Sequence, residues 1–95
     1  MVMRSSSLSQ APTYSGDGEF DGPKFLSLTQ SKHLLVCDRN NDRIQVFKVD
    51  GTFVQKFGLK GSKLGELIGP LSAAVLSNGQ IAVSDTCNHR IQLFA

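Results

Sequence analysis

Asp38-Arg39-Asn40-Asn41-Asp42-Arg43-Ile44-Gln45-Val46-Phe47 returns 47 positions later as Asp85-Thr86-Cys87-Asn88-His89-Arg90-Ile91-Gln92-Leu93-Phe94. Six of these ten pairs are identical. Working outward at the same offset, Gly18, Glu19, Gly22, Pro23 and Val36 fall on Gly65, Glu66, Gly69, Pro70 and Val83 without a gap. With Ser15 on Ser62, twelve of the 34 aligned pairs from 15 to 48 match, where composition alone would give roughly two. The chain is built on a tandem duplication.

A period of this length fits either a four-stranded propeller blade or a helical pair of the HEAT type, and the local pattern decides between them. Leu34, Leu35 and Val36 form a short apolar run, Ile44 and Val46 alternate around Gln45, and Phe53, Val54 and Phe57 follow a turn signal at Val49-Asp50-Gly51. No stretch keeps helical spacing. The first unit is therefore expected to hold strands a to d over 25–28, 33–37, 43–48 and 52–57, and the second strands a to c over 72–76, 80–84 and 90–94. The fold class is all-β, with antiparallel four-stranded blades of an incomplete propeller. Blade one covers 15–61; blade two covers 62–95 and lacks its last strand. Residues 1–14, rich in Ser and carrying Pro12, are expected to be a flexible lead-in or the remnant of a preceding unit.

An apolar fraction of 40% and a charged fraction of 19% over 95 residues belong to a folded segment. A formal charge of +2 is too small to point to nucleic acid by itself. No apolar stretch approaches the roughly 18 residues of a membrane span, and residues 1–10 are polar where a signal peptide needs an apolar run. A cytoplasmic chain without a membrane partner is expected. Cys37 and Cys87 stand alone, with no CxxC pair, and are expected to be ordinary thiols. His33 and His89 lack metal-ligand spacing and a nucleophile motif, so no metal, cofactor or catalytic residue is expected.

The turn between strands b and c explains much of the repeated motif. Asp38 and Asp85 at its start are expected to accept hydrogen bonds from turn amides. The Asn two or three residues later (Asn40, Asn41, Asn88) is expected to take up the unusual backbone. Arg43 and Arg90 are placed to pair with Asp38 and Asp85. Asp38, Asn41, Arg43, Asp85, Asn88 and Arg90 are thus read as structural. In an antiparallel meander the b–c turn and the d–a link share one end of the blade. That end would present Arg39, Asn40, Asp42, Cys87 and His89 from the turns, with Lys24, Lys60 and Lys63 beside them, as a surface for RNA or a protein partner. The opposite end carries Lys32, Lys48, Asp50 and Asn78.

The opening Gly18-Glu19-Phe20 and Gly22-Pro23, the two long stretches above, and above all Asn88-His89-Arg90-Ile91 resemble the NHL repeat. The first copy departs by Asp42 where His is usual. The resemblance covers about 80 of the 95 residues. Asp50-Gly51-Thr52-Phe53, Lys56-Phe57-Gly58 and Gly61-Ser62 resemble the propellers that end animal TRIM-NHL proteins. The resemblance implies a non-catalytic binding module for RNA or for proteins chosen for ubiquitination, with a RING, B-box and coiled coil elsewhere in the parent. An NHL-type peptide-amidating lyase is the rival. Its channel histidines would find at most one counterpart here, because His33 and His89 occupy different repeat positions. A closed ring needs about four blades, so the sequence reads as a piece of a longer propeller. By itself it would expose apolar rows and an unpaired strand c, and is expected to self-associate or be partly molten.

Overall fold

The computed structural model describes residues 16–95; the expected lead-in, 1–14, lies outside them. Four strands, β1 (Pro23–Leu28), β2 (His33–Asp38), β3 (Arg43–Lys48) and β4 (Phe53–Phe57), form an antiparallel sheet in sequence order. After a short parallel pairing of β5 (Leu59–Lys60) with β6 (Glu66–Leu67), β7 (Pro70–Val75), β8 (Ile81–Asp85) and β9 (Arg90–Phe94) repeat the meander as a three-stranded sheet. The architecture is all-β and the blades do not close a ring.

The differences from expectation have local causes. Strands β1 and β7 begin two residues earlier than expected, at Pro23 and Pro70, because each proline faces Asp38 or Asp85 and a bulge then resets the register. Proline lacks a donor but is tolerated at the first position of a strand. The β5–β6 ladder was not expected, since two residues carry no period. Strand β3 turns into β4 through Gly51 at φ 94°, with the Thr52 N–H donating to Asp50 Oδ1 at 2.8 Å.

Alternation decides what each face buries. The register pairs Leu35 with Val46 and Cys37 with Ile44 on one face of the first sheet, and Leu34 with Phe47, Val36 with Gln45 and Asp38 with Arg43 on the other. The first face packs against the second unit, and Leu35, Cys37, Ile44, Val46, Leu67, Ala73 and Val83 form the core between the two sheets. Phe57 and Phe94 close its rim with ring centroids 4.7 Å apart. On the outer face, Phe47 meets Phe20 and Phe53 at 5.6 and 5.8 Å.

Candidate functional site

Asp38 is fully buried and both of its oxygens are engaged. Oδ1 accepts the Asp21 N–H at 2.7 Å, while Oδ2 accepts from Arg43 Nε at 2.7 Å, Asn41 Nδ2 at 3.0 Å and Gln45 Nε2 at 3.2 Å. Arg43 reaches on to the carbonyls of Gly16 and Glu19, both at 2.9 Å, and Gln45 Oε1 accepts the Gly18 N–H at 2.9 Å. The second unit repeats this. Asp85 Oδ1 accepts the Ile68 N–H at 2.8 Å, and Oδ2 accepts from Arg90 at 2.7 Å, Asn88 at 2.9 Å and Gln92 at 3.2 Å. One buried carboxylate per blade thus fastens the loop ahead of β1 or β7 to the start of β3 or β9. Burial works to raise the Asp85 pKa, but the hydrogen bonds from Ile68, Asn88, Arg90 and Gln92 outweigh it and hold the carboxyl below its ordinary range.

Two details correct the expected turn. The amides that bond these aspartates belong to Asp21 and Ile68 of the preceding loops, not to the b–c turn. The left-handed residue is Asp42 or His89, each at φ 55°, and the Asn side lies in short 3-10 turns, Arg39–Asn41 and Thr86–Asn88. Asp and His tolerate that conformation better than most side chains, and Asn41 and Asn88 are left to bond the carboxylate. Gln45 and Gln92, unassigned in the sequence reading, belong to the same network; their identity across the repeat was the available signal.

The pairings Pro23 with Asp38, Asp38 with Arg43 and Ile44 with Phe57 bring the ends of all four strands together on one side of the blade. There the candidate residues divide into two groups. Asp42 Oδ1 accepts the Gly69 N–H at 2.8 Å and so ties the first turn to the second unit. A Cβ on Gly69 would lie 3.0 Å from Cys87 Sγ and 4.0 Å from Arg39 Nε, so Arg39, Asp42 and Cys87 converge on this junction. Arg39 is half-buried, and its Nε is enclosed without a hydrogen-bond partner among the described residues. Lys24, Asn40, Lys60, Lys63 and His89 are exposed. Asn40 leans on Asp21 through its N–H at 3.0 Å and its Nδ2 at 3.1 Å. The link bearing Lys60 and Lys63 is held down by Arg90, which donates to the Ser62 and Lys63 carbonyls at 2.9 Å. Lys56, not foreseen, borders the same shallow cleft as Lys60 and pairs with Asp17 at 2.6 Å.

At the opposite end, Ser31 Oγ lies 2.9 Å from His33 Nδ1 and 2.9 Å from Thr29 Oγ1. These contacts close the exposed β1–β2 turn, and no carboxylate completes a relay there among the described residues. Nor do three His, Cys, Asp or Glu side chains converge as a metal site among those residues, or any helix there have the length and apolarity to cross a membrane.

Both cysteines are free thiols. Burial pushes the Cys37 thiol up to about 12, whereas Cys87 is exposed on its turn. Ellman's reagent at mildly alkaline pH is therefore expected to titrate Cys87 alone in the folded chain and Cys37 only after denaturation. Equal labelling of both under native conditions would contradict this packing.

The family model for the NHL repeat matches residues 20–47 and 67–94, the two units just described. The chain belongs to the NHL-repeat family. Its NHL blades are similar to those of three TRIM-NHL proteins. It is 34% identical over 80 residues to protein brain tumor of Drosophila melanogaster, covering 82% of this chain and 8% of that protein. Identity to RING finger protein nhl-1 of Caenorhabditis elegans is 40% over 67 residues, 70% of this chain and 7% of the relative. Identity to protein lin-41 of the same worm is 43% over 42 residues, 44% and 4%. The chain thus spans less than a tenth of each relative's length.

Proposed function

We propose that this pair of NHL blades is a non-catalytic binding module that contacts RNA through the end bearing the b–c turns and the d–a link. The observation that carries the proposal is how the charges there are engaged. Glu19, Asp21, Asp42 and Glu66 direct carboxylate oxygens at backbone or amide N–H groups, and Asp17 pairs with Lys56. Lys24, Lys60 and Lys63 stay exposed with no ion pair among the described residues. Flexible ammonium groups of this kind suit a phosphate backbone. In a longer TRIM-NHL chain the propeller would choose an mRNA or a substrate protein in the cytoplasm, while ubiquitin transfer would lie in a RING outside these residues.

Filter binding of single-stranded RNA across a salt series tests this. Three phosphate contacts predict a log–log salt slope of about −2, and each Lys60→Ala or Lys63→Ala substitution should flatten it by about 0.7. No retained RNA, or a slope the lysines do not change, would reject the RNA reading and leave a surface for proteins, the alternative favoured by the RING in the name of one relative.

A further inference from the structure

At the end of the molecule away from the b–c turns, the two sheets part around a hollow of about 270 Å3. Both of its walls belong to units that are present. His33, Leu35, Val46 and Val54 of β2, β3 and β4 form one side, and Val75 and Ile81 of β7 and β8 form the other. Leu35 and Val46 are buried at its floor, whereas Val54 at 40% and Val75 at 42% exposure stand open along its sides. The volume falls short of the roughly 300–1,000 Å3 of small-molecule sites and suits an aliphatic side chain. No Phe, Tyr or Trp lines it, so it offers no platform for a nucleic-acid base.

The rim is polar and cationic. Register sets Lys48 directly across from His33, on the face that carries Val46 and Leu35. Lys32 is exposed on the turn whose Thr29 and Ser31 line the hollow. Thr29 Oγ1 accepts the His33 N–H at 3.0 Å, and Ser31 Oγ lies 2.9 Å from both Thr29 Oγ1 and His33 Nδ1, which fastens this turn to the imidazole. No Asp or Glu lines the hollow, and Asp50 of the neighbouring β3–β4 turn is engaged by the Thr52 N–H and hydroxyl. Lys32 also holds a left-handed backbone, φ 63°, at the position where the second unit has Gly79 at φ 87°. Glycine is at ease there and lysine is not, and strain of this kind clusters where a side chain meets a ligand. Finally, β4 is the outer edge of its sheet, so alternate N–H and C=O groups along it are open to a chain laid beside them.

We infer that this cleft seats an extended acidic peptide of a protein partner. The peptide pairs with β4 as an added strand, one aliphatic side chain enters the hollow, and flanking carboxylates meet Lys32, Lys48 and the His33 ring. The sign of the partner follows from the rim, where the cations have no carboxylate among the lining residues to answer them. The inference goes beyond the RNA reading and does not rest on it, since it uses the opposite end of the blades.

Phage display of short random peptides against the unmodified chain, followed by fluorescence anisotropy of an enriched peptide, tests it. The selected sequences should share an aliphatic residue beside Asp or Glu. Lys48→Glu should weaken binding by about tenfold and Val54→Asp by more than that, with circular dichroism confirming the fold. Lys32→Gly separates structure from binding: relief of the strained backbone should leave its urea midpoint equal or higher, while peptide affinity falls by about threefold. Lys63→Ala, at the other end, should bind the peptide as the unmodified chain does. One measurement needs no variant: on binding, the methyl resonances of Val54, Val75 and Ile81 should shift. The inference is overturned if no peptide is selected, if the selected peptides lack acidic residues, or if Lys32→Gly or Lys48→Glu binds as tightly as the unmodified chain. Methyl shifts confined to Leu59 and Leu64, or displacement of the peptide by single-stranded RNA, would overturn it as well.

Discussion

Replacing Asp38 with alanine is expected to cost about 3–5 kcal/mol of folding stability, the range for stranding one partner of a buried ion pair. Arg43 would keep its guanidinium in a site where its side chain is only 8% exposed, and the Asp21 N–H, Asn41 and Gln45 would each lose an acceptor. Small domains hold only about 5–15 kcal/mol in total, so this loss is large. Asp85→Ala should cost less, because the Arg90 side chain is 28% exposed and water can solvate the abandoned charge. Asp38→Asn should be nearly as harmful as alanine, since an amide brings donors into a ring of donors. Urea unfolding at one fixed protein concentration measures all three; equal costs for the two alanine variants would contradict the burial difference. The Asp85 carboxylate also governs acid stability. The Asp85 pKa is lowered on folding, so its contribution is fully present above the unfolded value near 4 and disappears as the pH falls through the folded value. Asp85→Ala should therefore flatten the acid limb of the stability curve. Part of the limb should remain, because Asp50 is held low by the Thr52 hydroxyl and amide and is untouched.

The duplication, the strand order and the shared end of the turns could all be read from the sequence because each is a periodic or local property. The pairing of Arg43 with Asp38 and of Arg90 with Asp85 was legible for the same reason: the residues sit five apart across one tight turn. What the sequence hid is set between units. Ile44 and Ile91 are the same residue in the same motif, yet one is sealed and the other open, and only the neighbouring sheet makes the difference. The β5–β6 ladder has no pattern of its own, because strands of two residues are too short to show a period. Asp42 looked like a rim residue, and its bond to Gly69 appears only when the blades are set side by side. The lysines could be located by topology, but which carboxylates leave them unpaired is a tertiary fact. Position 42 and its counterpart 89 did offer a clue to the turn: the motif varies there, yet both times the residue is one that accepts a left-handed backbone.

Leu67 gives the sharpest test of how the two blades depend on one another. It lies in β6, outside either meander, is fully buried, and fills the core between the sheets beside Ile44, Val46 and Val83. Its Cδ1 would be 2.7 Å from a Cβ on Gly58, whose φ of 102° a larger residue rarely adopts, so backbone and side chain fit closely there. Leu67→Ala is expected to cost about 2–5 kcal/mol through lost burial and the cavity left behind. In stacked repeats stability is roughly the sum of each unit's own term and the contact between neighbours. The second sheet has three strands and an open face, so it leans on this contact more than the four-stranded first sheet does. Amide exchange should accordingly show β7, β8 and β9 losing protection well before β2 and β3 in the variant. A loss below about 1 kcal/mol, or equal exchange in both sheets, would mean that the second blade holds itself together and that Leu67 is filler and not the joint.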